Sequence, residues 1–290
     1  MYNLCMLPIH KIIWHEYTAK ERPVRENEPE VMNDLAQVKD YVKAYEWGGP
    51  TSALQLHHLK ELSQLIRPGD TVLDLACGPG PLLLELAALY PDCSFVGVDL
   101  SPTMLEHLQA ESASRKMKNV SILQEDVRTL PDVKHGSIDL VVTTSALHHL
   151  PDAGFVKQMF SKMRAVLKPD GAFYIFDFAQ LKSAKTREIM VEEVAKLAPP
   201  LTALDYDMSL KAAYPVSTIM ELAKQELPKP FVASISAFCD FFYFLQTPPR
   251  TQPSAKAEEY IDRIWRSLAV PMKLEHLMLR VLRTKQTIGG

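Results

Sequence analysis

Residues 72–87 read Val-Leu-Asp-Leu-Ala-Cys-Gly-Pro-Gly-Pro-Leu-Leu-Leu-Glu-Leu-Ala, and no other stretch constrains the fold as much. Val72, Leu73 and Leu75 make a short apolar strand in which Asp74 is the one charge. Gly78 and Gly80 follow, where a missing Cβ allows a tight turn and a close approach of backbone to ligand. Residues 82–87 then open a helix that is apolar on most sides. A strand passing through glycines into a helix N-terminus is how open α/β sheets hold nucleotide-like ligands. About 20 residues further on, the position at which a carboxylate holds a pair of ribose hydroxyls, Phe95-Val96-Gly97-Val98-Asp99 reads as a second buried strand ending in an acid.

The glycine spacing separates two kinds of ligand. A dinucleotide fingerprint needs Gly-x-Gly-x-x-Gly, and Leu83 stands where its third glycine should be. The pattern is instead Asp74-x-Ala76-x-Gly78-x-Gly80. It resembles the first motif of the class I S-adenosylmethionine-dependent methyltransferases, with Ala76 where the first glycine of that motif often sits. A nucleoside carrying a methionine has no pyrophosphate, and an acid at the strand end suits its ammonium group better than it suits a phosphate.

The rest of the chain agrees with an alternating fold. Strands are predicted over 71–75, 94–98, 120–124, 138–143 and 172–177, with helices over 80–90, 102–117 and 152–167 between them. Ser101-Pro102 is a cap followed by a first-turn proline. Apolar strands joined by helical crossovers build a parallel sheet covered on both faces, and right-handed crossovers make it doubly wound. Residues 231–236 and 241–246 read as an antiparallel pair at the sheet edge. The expected fold is therefore α/β: a doubly wound, mostly parallel seven-stranded sheet, Rossmann-like, with helices on both faces and an antiparallel edge near the C-terminus.

Before the first strand, residues 1–30 read as irregular and 33–46 as a helix; 51–66 form another. Residues 182–226 read as mainly helical, interrupted at Pro199-Pro200. After Pro248-Pro249 one amphipathic helix carries Ile261, Ile264, Trp265 and Leu268, and Pro271 is expected to end it. This divides the chain into an N-terminal lid or extension over 1–50, a catalytic domain over 51–250 with a substrate-shaping insertion around 183–215, and a helical extension over 251–290. The apolar stripe of that last helix has no partner in its own segment and must be buried somewhere, which favours a homodimer.

The site residues follow from the strand ends. Asp74, Ala76, Gly78 and Gly80 form the donor loop. Asp99, when ionised, accepts both ribose hydroxyls. Leu100 and Met104 offer apolar faces to an adenine. Asp126 accepts its exocyclic amine while the Val127 backbone N–H reaches a ring nitrogen; a turn cap is the competing role of Asp126. Thr144 completes the cofactor set at the end of the fourth strand.

There the chain continues Ser145-Ala146-Leu147-His148-His149-Leu150-Pro151. This is similar to the Leu-His-His motif of the small-molecule branch around the ubiquinone and menaquinone biosynthesis C-methyltransferases, as are residues 102–105 and 168–171. The resemblance implies methyl transfer from S-adenosylmethionine to a small-molecule acceptor. The Asn/Asp-Pro-Pro-Tyr/Phe motif of amino methyltransferases is replaced by Thr144-Ser145-Ala146-Leu147, which disfavours adenine and glutamine amines. His148 and His149 are candidate general bases or structural supports of the loop. Asp177, at the end of the fifth strand, orients a substrate or caps a helix. Tyr41, Tyr45 and Trp47 lie where family members fold a lid over the cofactor, or pack as an ordinary helix. The residues from 238 to 244 are rich in aromatics and read as a buried edge strand.

Two other readings stay open: a methyltransferase acting on protein or RNA, and an inactive cofactor-binding subunit that regulates a partner. Composition narrows them. A formal net charge of −3 gives no electrostatic reason to expect nucleic acid. No apolar run approaches the length of a membrane span. Residues 1–14 lack the basic leader and cleavage site of a signal peptide. Cys5, Cys77, Cys93 and Cys239 are widely spaced, so no metal centre or disulfide framework is expected and a reducing, cytoplasmic setting fits.

Overall fold

A computed structural model describes residues 8–196, 198 and 200–289. Cys5 and Pro199 lie outside the described residues. The first five strands, β1 (Thr71–Leu75), β2 (Ser94–Asp99), β3 (Val120–Gln124), β4 (Ile138–Thr144) and β5 (Leu167–Phe178), pair in parallel. Three more, β6 (Phe231–Ser236), β7 (Phe242–Gln246) and β8 (Arg283–Ile288), add on antiparallel. The spatial order is β3-β2-β1-β4-β5-β7-β6-β8.

Strand alternation feeds two cores. In β5, Tyr174 and Phe176 point into one hydrophobic cluster and Phe173 and Ile175 into the other. Helices α3 (Ser52–Leu62), α4 (Pro81–Leu89) and α5 (Pro102–Ser114) belong to the first face, while α6 (Ala153–Val166) and α9 (Val216–Glu226) cover the second. Helix starts are fixed by side chains that accept orphan N–H groups. Asp34 caps α2 (Leu35–Ala44), Ser101 caps α5, Asp152 caps α6 and Ser183 caps α7 (Ala184–Ala195). Helix α8 (Pro200–Ala212) packs against α7 and α2.

Four expectations are corrected. Among the described residues the sheet has eight strands rather than seven. The added β8 has the sequence Arg-Thr-Lys-Gln-Thr-Ile and no apolar alternation to betray it; such polar, basic residues suit an edge strand, where they discourage pairing with another chain. The β6–β7 pair is consequently interior, with β7 beside β5 and β6 beside β8. Residues read as irregular contain α1 (Ile9–Thr18). Pro271 does not end a helix: it sits in the first turn of α11 (Val270–Val281), where its missing N–H leaves no bond unmade.

The C-terminal segment closes onto the domain. The Arg250 guanidinium pairs with Asp70 and donates to the carbonyls of Leu65 and Asp139, and the Arg250 and Thr251 N–H groups donate to Gln64 O. Ala257, Ile261 and Ile264 of α10 (Ala255–Ser267) are buried in the core cluster that holds α3 and α4. The apolar stripe thus has its partner within the chain, and the argument for a homodimer loses its premise.

Candidate functional site

A cleft enclosing about 1490 Å³, its open mouth included, lies beyond the carboxyl ends of β1 and β4. Between these two strands the strand order reverses, where open α/β sheets keep their ligands. All the expected cofactor residues line it except Asp74 and Gly80.

The donor loop needs unusual backbone. Ala76, Gly78 and Gly80 all have positive φ, at 53°, 56° and 69°. The two glycines do different things. A Cβ on Gly78, at the cleft wall, would meet nothing within 4 Å and would project into open space. A Cβ on Gly80 would stand 2.4 Å from Leu108 Cδ1, so this glycine serves the packing of α5 rather than clearance for a ligand. Asp99 ties the loop together: its carboxylate accepts the N–H groups of Gly78 and Ser101, each at 2.8 Å. Asp74 is buried at the end of β1, and burial, with the charge of Asp99 beside it, pushes its carboxyl up to about 8. An ammonium group placed next to it would reverse that shift.

Leu100, Met104 and Val127 supply the apolar wall. Asp126 also lines the cleft, but Arg128 engages it through its backbone N–H and its guanidinium, at 2.6 to 2.8 Å. Burial opposes ionisation there, yet the Arg128 hydrogen bonds win and hold the carboxyl below its usual range. The turn-cap role of Asp126 is therefore real. Across the cleft, Tyr41 and Tyr45 stack with ring centroids 4.8 Å apart. Trp47 packs on the core instead of the cleft. Glu30, Asp40, Asp99, Asp126 and Asp205 all reach the wall, and among the described residues no Lys or Arg does. Burial and the charge of Glu28 push the Asp205 carboxyl up to about 6.

At the end of β4, Leu147–His149 form one short helical turn. The two histidines share the cleft wall but differ in environment. His148 is buried, with Nδ1 2.5 Å from Asp177 Oδ1 and Nε2 3.1 Å from Glu28 Oε1. Burial disfavours its charge, but the two carboxylates outweigh that and raise its pKa to about 10. With its pKa raised so far, His148 keeps its proton near neutral pH and does not serve as a general base there. His149, more open, has Nδ1 2.9 Å from Glu28 Oε1 and 3.1 Å from the Pro29 carbonyl oxygen. Asp177 lies off the cleft, fully buried, and also accepts the N–H groups of His148 and Phe178. It positions His148 and does not face a substrate.

Glu28 was hidden in the sequence, within a charged run read as irregular. So was Arg25, which donates to the carbonyls of His148, Leu150, Pro151 and Ala212 and lies over the Tyr214 ring at 4.0 Å. Glu16 accepts the N–H groups of Lys182 and Ser183 ahead of α7. Together these residues strap the N-terminal segment across the ends of β4 and β5. No sequence spacing could have announced contacts between residues more than 120 positions apart.

A doubly wound sheet with a glycine turn at its switch point and an acid at the end of β2 has the layout with which open α/β sheets hold nucleotide-like ligands. Residues 72–171 match the family model described as a methyltransferase domain. A demethylmenaquinone methyltransferase of Symbiobacterium thermophilum is 31% identical over 157 residues, 53% of this chain and 58% of that protein. A trans-aconitate 2-methyltransferase of Deinococcus radiodurans is 30% identical over 118 residues, covering 40% of this chain and 42% of the other. These matches leave a large part of each relative uncovered. In fold, a SAM-dependent methyltransferase from Aquifex aeolicus superposes with a TM-score of 0.51 at 16% identity, over 75% of this chain and 100% of that one. Residues 72–171 thus carry a methyltransferase domain, on a fold shared with S-adenosylmethionine-dependent methyltransferases. Among the described residues, no helix is long and apolar enough to cross a membrane.

Proposed function

We propose that this protein transfers a methyl group from S-adenosylmethionine to a small, neutral or cationic acceptor with an apolar body. The observation that carries the acceptor class is the wall of the cleft: five carboxylates, no Lys or Arg among the described residues, and the aromatic pair Tyr41–Tyr45. A polycarboxylate such as trans-aconitate would find no Lys or Arg there, and the His148 imidazolium is already held between Glu28 and Asp177, whereas a quinone-type ring, which the name of the demethylmenaquinone relative suggests, would find apolar surface. Donor binding falls to the residues already placed. Asp99 would accept the ribose hydroxyls, the wall of Leu100, Met104 and Val127 would take the adenine, and the open side of Gly78 with Asp74 behind it would take the amino-acid end.

The bound donor supplies a methyl group already activated on a sulfonium, so the protein's task is mainly to place the acceptor in line and exclude water. His148 holds the end of β4 through its two carboxylate partners. An exposed cation would be favoured near the Tyr41 and Tyr45 ring faces by about 0.5–1 kcal/mol.

Calorimetry with S-adenosylmethionine, S-adenosylhomocysteine and NAD tests donor choice. The first two should bind and NAD should not; tight NAD binding sinks the reading. Transfer of labelled methyl should then favour hydroquinones or amines over polycarboxylates, and preferred methylation of a polycarboxylate would overturn the acceptor class.

A further inference from the structure

Glu28, His148 and His149 place one carboxylate oxygen and two imidazole nitrogens within 4.8 Å of one another. Glu28 Oε1 lies 3.1 Å from His148 Nε2 and 2.9 Å from His149 Nδ1. Donor atoms arranged tetrahedrally around an ion at bond lengths of 2.0–2.1 Å sit about 3.3 Å apart, close to these separations. Glu28 is more than nine-tenths buried, and its Oε1 accepts no well-aligned hydrogen bond despite both imidazoles being so near. An ion at this point would take the place of the proton that His148 Nε2 directs at Glu28.

The surroundings fit the same point. Asp177 takes the Nδ1 side of His148 at 2.5 Å, which leaves Nε2 facing Glu28. A carboxylate behind the far nitrogen of a ligating histidine is the usual way such a ring is oriented and made more basic. The Pro29 carbonyl oxygen, 3.1 Å from His149 Nδ1, offers one further oxygen donor. Both histidines line the cleft, so a coordination position remains open toward it.

We propose that Glu28, His148 and His149 bind a divalent transition-metal ion of the zinc type at the edge of the cleft, with Asp177 as the positioning residue for His148. Two imidazoles and one carboxylate suit Zn²⁺ or a neighbouring first-row ion; the oxygen-only preference of Mg²⁺ and Ca²⁺ makes them poor occupants. The inference is independent of the methyl-transfer reading, because the metal is measured directly.

The test uses the full chain, stripped with a chelator and dialysed, then titrated with ZnCl2 by calorimetry and with CoCl2 by visible absorption. One equivalent of Zn²⁺ should bind, and Co²⁺ should give the visible bands of a four- or five-coordinate nitrogen–oxygen site. MgCl2 should not compete. Glu28→Gln and His149→Ala should each weaken binding at least about tenfold and remove the cobalt bands, and Asp177→Asn should weaken it by about 10- to 100-fold. Circular dichroism establishes that each variant is folded; should His149→Ala misfold, the isosteric Glu28→Gln decides alone. Absence of binding, or equal affinity in wild type and Glu28→Gln, overturns the proposal. A thiolate-type cobalt spectrum that persists in the variants would assign the metal to the free cysteines and overturn it equally.

Discussion

Two histidine clusters lie in this protein, and burial leaves the histidines of one neutral while His148 in the other is charged. Away from the cleft lining, His57 and His58 of α3 meet His276 of α11, all three buried. His58 Nδ1 lies 2.7 Å from the Tyr174 hydroxyl, and His276 Nδ1 lies 3.2 Å from the Ala53 carbonyl oxygen. Burial pushes His58 down to about 3 and His276 down to about 4, and burial with the nearby Arg283 pushes His57 well below its ordinary value. His148 is just as buried and moves the other way, because Asp177 and Glu28 stand within hydrogen-bond range. Burial removes the charge of an imidazole unless nearby carboxylates outweigh it: His57 has Glu61 at 3.7 Å, but Arg283 stands beside it as well. The α3 cluster packs in the core, whereas the cleft cluster lines the proposed binding site. Disturbing the first should cost stability and spare ligands, and disturbing the second should do the reverse.

The largest expected effect tests the packing side. Deleting residues 251–290 removes α10, α11 and β8 and uncovers α3, whose residues Ala53, Leu56 and Leu59 are 0 to 1% exposed. The truncated chain should show no cooperative thermal unfolding. A folded truncation with wild-type donor affinity would refute the claim that the tail completes the core.

Acid should come next. The unfolded chain protonates His58 and His276 below pH about 6.5, while the folded chain keeps them neutral until about 3 and 4. Their stabilising contribution is full above pH 6.5 and is lost as pH falls toward those values, with a slope of up to about 1.4 kcal/mol per pH unit for each group. Denaturant melts between pH 7 and 4.5 measure it, and His58→Gln should flatten the slope. An unchanged slope would remove these histidines from the account.

On the cleft side, Asp99→Ala should weaken S-adenosylmethionine by about 2–3 kcal/mol, the range for hydrogen bonds to a charged group, with only a small change in melting temperature. Calorimetry on the folded variant checks it; unchanged affinity would take Asp99 out of the donor site.

The smallest effect concerns Asp74. Its carboxyl, raised to about 8, is protonated in the free protein and must ionise to meet an ammonium group. Donor affinity should therefore rise by up to tenfold per unit, about 1.4 kcal/mol, between pH 6 and 7.5, with a proton released on binding. Titrations in buffers of different ionisation enthalpy read that proton, and Asp74→Asn should abolish its release. Release that persists in Asp74→Asn would locate the titration elsewhere.

The parallel half of the sheet was legible because each element carries its own signal. Residues 71–75 are an apolar run with one acid, Asp74, next to its end, 94–99 ends in Asp99, and Ser101-Pro102 starts a helix by its own chemistry. The glycine turn over residues 76–80 was legible for the same reason, although the separate duties of Gly78 and Gly80 depend on where Leu108 falls. The last strand was not, since Arg283–Ile288 has no apolar pattern and becomes a strand only because β6 offers it an unpaired edge.

What this chain's sequence determined by itself is therefore the local grammar: strands, turns, caps and the acids at the strand ends, all readable within windows of about 20 residues. Tertiary structure alone decided what Glu28, Asp177 and Arg25 do, whether a buried histidine is charged, and whether the C-terminal stripe needed a second chain. Those outcomes depend on fields and contacts between groups far apart in sequence. Coulomb and desolvation energies follow distance in space, and only the fold sets that distance.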